Sequence, residues 1–379
     1  MKIRRNVLLT PGPATTSDRV KQAQIVPDIC PREAEFGALQ DSIRRRLVQV
    51  VHGEDTHTAV LFAGSGTAAV EACVSSVVPN DGKILVLING AYGKRMLDMC
   101  CIHLRPEQIA VYETAYDELP DTLEVDRILS TNPSITHLAL IHHETTTGIL
   151  NPLEDITAIS QRHDVKVIVD AMSSFAGIPL NLRQTSCDFV ISSSNKCIQG
   201  MAGTAFVICR NTLLIPPENY RPRSLYLDLY GQHAGFESTL QMRFTPPVQV
   251  LYALDAALDE FFEETQLGRY RRYCQCWEIL LDGMDKLGFA MAVPQLPQSK
   301  LLTTFLEPQH PRYDFDAMHD ALLAEGYTLY PGKVGNLASF RLANIGQIDI
   351  QDIQAFLVAM KRYLAANEIV LPLFKTINN

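Results

Sequence analysis

Three groups of residues in this sequence could take part in chemistry, and each follows an apolar run of strand length. Gly64–Thr67 (Gly-Ser-Gly-Thr) follows the first run and opens a helical stretch, Asp170 ends the run that begins at Lys166, and Lys196 follows the run Phe189–Ser192. A glycine turn at a helix N-terminus can cradle an anion. A partly desolvated carboxylate needs a cation, and a desolvated lysine amine can attack an aldehyde. Alone, each feature also fits a tight turn, a helix N-cap or a surface lysine.

Together the three features match the requirements of one cofactor, pyridoxal 5′-phosphate. Its phosphate needs an anion cradle, and its aldehyde needs a lysine. Its ring nitrogen needs a carboxylate to stay protonated, which makes the ring an electron sink. The face of the ring needs an aromatic or apolar cover, and Tyr92 follows the second predicted strand.

A polar stretch after the fourth predicted strand supplies further candidates. The hydroxyls of Thr145, Thr146 and Thr147 could reach the 3′ oxygen of the cofactor, with Thr145 as the candidate. The preceding His142 and His143 could act as general bases. No cysteine or further histidine stands at ligand spacing, so we expect no metal site.

The pattern of the chain predicts the elements that must position these residues. Apolar runs alternate with helical stretches, which is typical of a mainly parallel sheet with helices on both faces, an α/β fold. Ligands bind beyond the carboxyl ends of the strands in such sheets. The seven predicted strands are Ala59–Phe62, Lys83–Ile88, Ile109–Tyr112, His137–Ile141, Lys166–Asp170, Phe189–Ser192 and Thr204–Cys209. The predicted helices in this part are Glu35–Val51, Thr67–Val78, Lys94–Leu104, Leu123–Ser130 and Leu153–His163.

The length of 379 residues indicates two domains, one large and one small. We expect an N-terminal arm over residues 1–20, a large domain over 21–250 and a small C-terminal α+β domain over 251–379. The predicted helices near and within the small domain are Val248–Glu264, Tyr270–Leu287, Phe315–Glu325 and Asp349–Leu364. Its predicted strands are Leu301–Phe305, Thr328–Tyr330 and Ser339–Leu342.

Composition excludes several other classes of protein. Apolar residues make up 47% of the chain and charged residues 20%, which excludes general disorder. The formal charge of −9 argues against nucleic acid as a partner, and no apolar run approaches the roughly 18 residues that span a membrane. The nine cysteines include no Cys-x-x-Cys pair, and the apolar N-terminal stretch is too short for a signal peptide. We therefore expect reduced thiols and a cytoplasmic location.

With these motifs in order, the sequence resembles the class V, fold type I aminotransferases, and among them the 2-aminoethylphosphonate–pyruvate aminotransferase family. The resemblance covers almost the whole chain. The motifs that carry it include Gly64–Thr67, Asn89–Gly93, His142–Gly148, Val169–Phe175 and Ser192–Gly200. Further matches are Leu9–Pro13, Arg223–Asp228, Arg243–Pro246, Tyr330–Val334 and Phe340–Gly346.

The resemblance implies that Lys196 bonds to the aldehyde of pyridoxal 5′-phosphate and that Asp170 holds the ring nitrogen. Thr245 matches a residue that reaches the cofactor phosphate of the neighbouring subunit, which implies a homodimer with shared sites. Arg341 matches the arginine that binds the acid group of the substrate. The remaining positions matched to cofactor binding are Ser65, Gly66, Thr67, Tyr92 and Asn195.

The implied reaction moves the amino group of 2-aminoethylphosphonate to pyruvate, giving phosphonoacetaldehyde and L-alanine in a ping-pong cycle. Arg341 would then bind a carboxylate and a phosphonate in turn, because a guanidinium can pair with either acid. We also hypothesise that Arg32, in the N-terminal part of the chain, adds a second positive contact to the phosphonate.

Three alternatives stay open at this point. One is an ammonia-lyase that acts on a hydroxylated 2-aminoethylphosphonate with the same lysine. Another is a class V aminotransferase of the alanine–glyoxylate type, which the run Asn195–Gly200 argues against. The last is a catalytically silent binding protein on the same fold, which the presence of both Lys196 and Asp170 argues against.

Overall fold

The computed structural model describes residues 6–332, 334–335 and 337–371, so Lys333 of the motif Tyr330–Val334 lies outside the described residues. The strands are β1 (Val7–Leu8), β2 (His57–Gly64), β3 (Lys83–Ile88), β4 (Ile109–Glu113), β5 (Ile135–Ile141), β6 (His143–Glu144), β7 (Ile149–Leu150), β8 (Lys166–Asp170), β9 (Phe189–Ser193), β10 (Gly203–Arg210), β11 (Leu302–Leu306), β12 (Tyr327–Thr328), β13 (Tyr330–Pro331) and β14 (Ser339–Ala343).

The α-helices are α1 (Asp18–Gln22), α2 (Ala34–Val50), α3 (Gly66–Val77), α4 (Ala91–His103), α5 (Thr122–Thr131), α6 (Leu153–Arg162), α7 (Leu229–Thr239), α8 (Val248–Glu264), α9 (Gln266–Lys286), α10 (Phe315–Ala324) and α11 (Ile350–Ala366). Within the described ranges, short 3-10 helices cover Pro106–Gln108 and Asn211–Leu213. No helix of the described ranges is long and apolar enough to cross a membrane.

A seven-stranded sheet organises the larger part of the molecule, in the order β2-β10-β9-β8-β5-β3-β4. The strands from β9 to β4 run parallel, and β10 is antiparallel to both β2 and β9. Neighbouring residues of β8 pack on opposite faces, Val169 in one apolar core and Ile168 in the other. The first core includes residues of α2, α5, α6 and α8, and the second includes residues of α3 and α4. The predicted mainly parallel seven-stranded α/β sheet is confirmed.

The register brings the carboxyl ends of the central strands to one edge. Ile141 of β5 lies opposite Asp170 of β8, which lies opposite Ile191 of β9. At the far side of the sheet, Gly64 ends β2 opposite Gly203, the first residue of the antiparallel β10. The loops after β2, β3, β5, β8 and β9 therefore open on the same edge, where ligands bind in such sheets.

The C-terminal part forms a second unit around the antiparallel sheet β11-β14-β13. Its apolar core draws on α9, α10 and α11, and it also includes Val7 and Leu9 from the start of the chain. Strand β1 pairs in parallel with β12, so the N-terminal arm is attached to this C-terminal unit. The predicted boundaries between arm, large domain and small domain, at residues 20 and 250, stay a proposal; residue 250 itself lies within α8.

Candidate functional site

A cavity of about 290 Å³ lies at the carboxyl edge of the large sheet. Its size suits a small-molecule ligand at the lower end of the usual range. The N-terminal arm contributes Pro11 and Gly12, and the C-terminal unit contributes Tyr330 and Arg341. The predicted site residues among its lining are Ser65, Gly66, Thr67, Tyr92, Asp170, Asn195, Lys196 and Arg341.

Lys196 follows β9, and its amine contacts the N-terminal arm. Its Nζ donates a hydrogen bond of 2.6 Å to the carbonyl oxygen of Pro11. Burial lowers the pKa of this amine, and the positive charge of Arg341 acts in the same direction. A lowered pKa increases the share of the neutral, nucleophilic amine, which is the form that reacts with an aldehyde.

Asp170 is the last residue of β8 and is only 8% exposed. One carboxylate oxygen accepts a hydrogen bond of 2.8 Å from the backbone N–H of Met172. Burial raises the pKa of Asp170 to about 6, although Met172, Lys196 and Arg95 each favour the charged form. A cation placed against this carboxylate would restore its ionised form, and a protonated ring nitrogen is such a cation.

The start of α3 provides the candidate phosphate cradle. Ser65 is the N-cap of this 12-residue helix, and within the described part of the chain its side chain makes no capping hydrogen bond. The first N–H groups of the helix therefore face the cavity edge with the positive end of the helix dipole. A Cβ at Gly66 would lie 2.3 Å from the sulfur of Met172, so a larger residue there would have to displace the end of the Met172 side chain.

Asn195 stands beside Lys196 at the end of β9. Its side-chain oxygen accepts a hydrogen bond of 2.9 Å from the hydroxyl of Ser193. Its carbonyl oxygen accepts from the backbone N–H of Ala14 at 2.9 Å. Asn195 therefore ties the lysine loop to the arm that covers it.

Tyr92 lies in the first turn of α4 and lines the cavity. The guanidinium carbon of Arg95 lies 5.1 Å from the centroid of the Tyr92 ring, within the range of a cation–π contact. Arg95 lines the same cavity, although no role for it follows from the sequence motifs. The spacing of three residues on one helix places Arg95 on the same face as Tyr92, a signal that was available in the sequence.

The threonine stretch after β6 lies behind the cavity rather than in its lining. Thr145 is buried, and its carbonyl oxygen accepts a hydrogen bond of 3.3 Å from Nη1 of Arg341. The structure thus connects Thr145 with Arg341, and a contact of its hydroxyl with the cofactor stays a prediction. His142 and His143 are also outside the lining; burial lowers their pKa values to about 3 and about 4, which keeps both rings neutral.

Glu144 is a buried residue for which the sequence pattern predicts no role. Its carboxylate accepts hydrogen bonds from the backbone N–H of Thr146 at 3.0 Å and from the Thr146 hydroxyl at 2.5 Å. That hydroxyl accepts in turn from the backbone N–H of Ala91 at 2.9 Å. Glu144 therefore links the threonine stretch to the start of α4, which carries Tyr92.

Arg341 places a buried positive charge in the lining of the cavity. It is 1% exposed, and its Nε donates to the carbonyl oxygen of Pro331 at 3.0 Å. Among the described residues it forms no ion pair with an acidic side chain. A buried guanidinium without an acid partner is a costly arrangement, and an anionic ligand would relieve the cost. The geometry therefore fits an acid-binding position.

Two predicted site residues lie away from this cavity. Arg32 is exposed and donates to the carbonyl oxygens of Met242 at 2.7 Å and Arg243 at 3.2 Å. Thr245 is also exposed, and neither residue is part of the cavity lining. Within one chain the structure does not bring Arg32 or Thr245 to Lys196.

The donor set of the cavity fits pyridoxal 5′-phosphate. An amine, a buried carboxylate, an uncapped helix N-terminus and an aromatic ring surround one volume. The described residues contain no group of three or more His, Cys, Asp or Glu side chains that could hold a metal ion.

The comparison with protein families identifies the class. Residues 23–320 match the model of the class V aminotransferases, which is more than half of the chain. The chain therefore belongs to the class V aminotransferase family. The cofactor of this family is pyridoxal 5′-phosphate.

Two curated relatives from within this class have the same name. The chain is 41% identical over 365 residues to the 2-aminoethylphosphonate–pyruvate transaminase of Pseudomonas entomophila (strain L48), covering 96% of this chain and 98% of the relative. It is 42% identical over 368 residues to the enzyme of the same name from Pseudomonas aeruginosa (strain UCBPP-PA14), covering 97% and 98%.

Solved structures agree on the fold. The ureidoglycine–glyoxylate aminotransferase of Bacillus subtilis superposes with a TM-score of 0.89 at 20% identity, over 98% of this chain and 96% of that one. The alanine–glyoxylate aminotransferase of Nostoc sp. gives 0.87 at 24% identity, over 96% of each chain. At this level of identity the likeness concerns the fold, and the fold type I architecture is confirmed.

Proposed function

We propose that this chain is a pyridoxal 5′-phosphate-dependent aminotransferase that moves the amino group of 2-aminoethylphosphonate to pyruvate, giving phosphonoacetaldehyde and L-alanine. The names of the relatives at 41–42% identity support the substrates. The observation that carries the proposal is the buried Arg341, which has no acid partner among the described residues and shares one cavity with Lys196 and Asp170.

The residues of the cavity would divide the binding of the cofactor among them. Lys196 would bond to its aldehyde, Asp170 would pair with its ring nitrogen, and Tyr92 would cover its ring. Its phosphate would lie at the start of α3, with the contacts from Ser65, Gly66, Thr67 and Asn195, and its 3′ oxygen would face Thr145. When bound, the cofactor supplies an electron sink for the negative charge that develops at the reacting carbon.

The chain's own groups would bind the substrate and move its proton. Arg341 would pair with the phosphonate of 2-aminoethylphosphonate and, in the second half of the cycle, with the carboxylate of pyruvate. One acid-binding position then serves two substrates in turn, as a ping-pong reaction requires. The amine of Lys196, with its lowered pKa, would take the proton from the carbon that carries the amino group and return it one step later.

The alternatives are not favoured. The relatives at 41–42% identity are named transaminases rather than ammonia-lyases. The alanine–glyoxylate enzyme is similar in fold alone, at 24% identity. A silent binding protein would not need a lysine amine of lowered pKa and a buried carboxylate in one cavity.

A coupled assay tests the proposed reaction. The purified protein is supplied with 2-aminoethylphosphonate and, in separate reactions, with a panel of keto acids. We expect phosphonoacetaldehyde to accumulate with pyruvate, and no more than one amino group per site to be transferred without a keto acid. Catalytic release of ammonia without a keto acid would instead establish the lyase.

The same preparation tests the lysine. Bonding of the cofactor to Lys196 gives an absorbance band at about 420 nm. We expect the Lys196→Ala variant to lack this band and all transamination. A normal band in that variant would contradict the assignment of Lys196.

We also propose a homodimer in which Thr245 reaches the cofactor phosphate of the neighbouring subunit. The exposure of Thr245 supports this, as does Leu225, which is 71% exposed. The ring of Tyr226 stacks on Phe244 at 5.3 Å, and its hydroxyl donates to the carbonyl oxygen of Ala63 at 3.0 Å, so this segment runs beside the start of α3. Sedimentation equilibrium of the holoenzyme should give twice the chain mass.

Arg32 would act in the same assembly. Because its guanidinium is attached to the segment just before Thr245, any contact with phosphonate would be made in the neighbouring subunit's cavity. Arg32→Ala should then weaken the binding of 2-aminoethylphosphonate more than that of pyruvate, and an unchanged preference between the two substrates would refute the contact.

The cytoplasmic location also stays a proposal, supported by nine free cysteines.

A further inference from the structure

We propose that Tyr330 is a specificity-determining residue that donates a hydrogen bond from its hydroxyl to the third oxygen of a phosphonate held by Arg341. The inference rests on the proposed function and adds the group that distinguishes a phosphonate from a carboxylate. No role for Tyr330 followed from the sequence, where it was one letter of a longer matching motif.

The register of the small sheet places the two side chains together. Tyr330 of β13 lies directly opposite Arg341 of β14 in an antiparallel pair. Directly opposite residues project from the same face of a sheet, with Cβ atoms about 4.5–5.5 Å apart. Both side chains line the cavity that contains Lys196. The phenol and the guanidinium therefore face the same ligand volume.

The hydroxyl of Tyr330 is available to a ligand. Its side chain is 37% exposed, and in the part of the chain that the structure describes it has no hydrogen-bond partner. The carbonyl oxygen of the neighbouring Pro331 accepts a hydrogen bond from Nε of Arg341, which fixes the guanidinium relative to the strand that carries the phenol. The backbone thus sets the two residues opposite each other and holds the guanidinium of Arg341 at this strand.

The number of oxygen atoms decides which ligand needs the tyrosine. A carboxylate has two oxygens, and one guanidinium can satisfy both through a bidentate pair. A phosphonate has three oxygens and more negative charge, so one oxygen remains after the same pair has formed. A phenol is a suitable neutral donor for that oxygen. Removal of the hydroxyl should therefore weaken phosphonate binding and leave carboxylate binding nearly unchanged.

The test compares the two half-reactions of the Tyr330→Phe holoenzyme. Loss of a hydrogen bond to a charged group weakens binding by roughly 10- to 100-fold. We expect kcat/KM for 2-aminoethylphosphonate to fall by at least about 10-fold, mainly through KM, while the half-reaction with L-alanine stays within about twofold. The exposed Tyr116→Phe, outside the cavity lining, is the matched control and should change neither half-reaction.

A binding measurement separates this inference from the proposed function. Ethylphosphonate and propionate are titrated into the holoenzyme, and the dissociation constants are read from the cofactor's absorbance. We expect Tyr330→Phe to raise Kd for ethylphosphonate alone. An equal change for both ligands, or no change for either, would overturn the inference. If the wild-type protein binds ethylphosphonate but does not transaminate 2-aminoethylphosphonate, the proposed function fails while the role of Tyr330 is still decided by the two constants.

Discussion

The amine of Lys196 fits its position because residue 12 has no side chain. Gly12 has φ +141°, and a Cβ built there would lie 2.4 Å from Nζ of Lys196. Gly12→Ala must therefore displace the amine and strain the backbone. A displacement of about 1 Å at a reacting group can cost about 100-fold in rate. We expect a loss of that order in transamination, together with a weaker absorbance band from the lysine-bound cofactor.

A matched glycine distinguishes the steric effect from the backbone effect. Gly335 also has a positive φ of +49°, but among the described residues a Cβ there would meet nothing within 4 Å. Gly335→Ala should destabilise the chain by the backbone cost alone and should retain the cofactor band. If both variants lost the band to the same extent, the contact between residue 12 and Lys196 would not be the cause.

At the scale of elements, the threonine stretch joins two parts of the molecule. Glu144 and the backbone of Ala91 hold Thr146 from the side of α4. From the C-terminal unit, the hydroxyl of Thr304 donates to the carbonyl oxygen of Thr146 at 3.0 Å, and Arg341 donates to Thr145. The positions of Tyr92, the proposed ring cover, and of Arg341, the proposed acid-binding residue, are therefore set against the same few residues.

Substitution of Glu144 should loosen this connection. Glu144→Ala leaves the buried N–H of Thr146 without its acceptor, which costs about 1–3 kcal/mol. Burial raises the pKa of Glu144, so the neutral Glu144→Gln should resemble the native residue more closely. We expect the free energy of unfolding and the cofactor affinity to decrease in the order wild type, Gln, Ala, measured by urea denaturation and cofactor titration. Equal stability of all three proteins would mean that Glu144 positions nothing.

The elements also explain what the sequence could predict. Strands Lys83–Ile88 and Lys166–Asp170 and helix Val248–Glu264 have the predicted bounds, because uniform apolar runs and helical spacing specify them locally. Helix α7 was not predicted, because Gly231 and Gly235 disfavour a helix. A Cβ at either glycine would lie within 3 Å of the Arg243 side chain, so tertiary packing and not propensity selects them.

One predicted strand is divided in the structure. The pattern predicted a single strand over Thr328–Tyr330, but β12 ends at Thr328 and β13 begins at Tyr330. Leu329 between them is buried in the C-terminal core, and the two short strands pair with different partners, β1 and β14. A local pattern could not predict this change of partner, because it depends on where the N-terminal arm packs.

At the scale of the whole molecule, the site gathers residues from position 11 to position 341. Residues that follow parallel strands were predictable as neighbours, because the carboxyl ends of those strands meet at one edge. Gly12 and Tyr330 were not, since their positions depend on the docking of the arm and the C-terminal unit. Arg32 and Thr245 lie outside the cavity lining of their own chain, and their proposed roles would need a second subunit.

Burial of titratable groups makes the free energy of unfolding depend on pH. Burial lowers the pKa of His137 to about 4, and the charge of Lys166 on the adjacent strand adds to the effect. An unfolded histidine titrates near about 6.5. Between these values the unfolded chain binds a proton that the folded chain excludes, so stability decreases as pH falls. His142 and His143, whose pKa values are also lowered by burial, likewise reduce the stability of the folded chain as pH falls. Asp170 has the opposite effect because its pKa is raised to about 6. Its contribution to stability is full below its unfolded pKa and is lost as pH rises through about 6.

His137 allows this dependence to be measured without disturbing the cavity, because it lies outside the cavity lining near the start of β5. From pH 7 to pH 5 its titration should lower the free energy of unfolding by about 2 kcal/mol. His137→Asn should remove that part of the decrease, even if it is less stable at every pH. Urea denaturation of the holoenzyme at several pH values gives both slopes, and the exposed His52→Asn should keep the wild-type slope. If His137→Asn lost stability toward pH 5 as steeply as the wild type, then the folded chain would accept a proton at His137, and the ring would not be held neutral by its burial in the sheet.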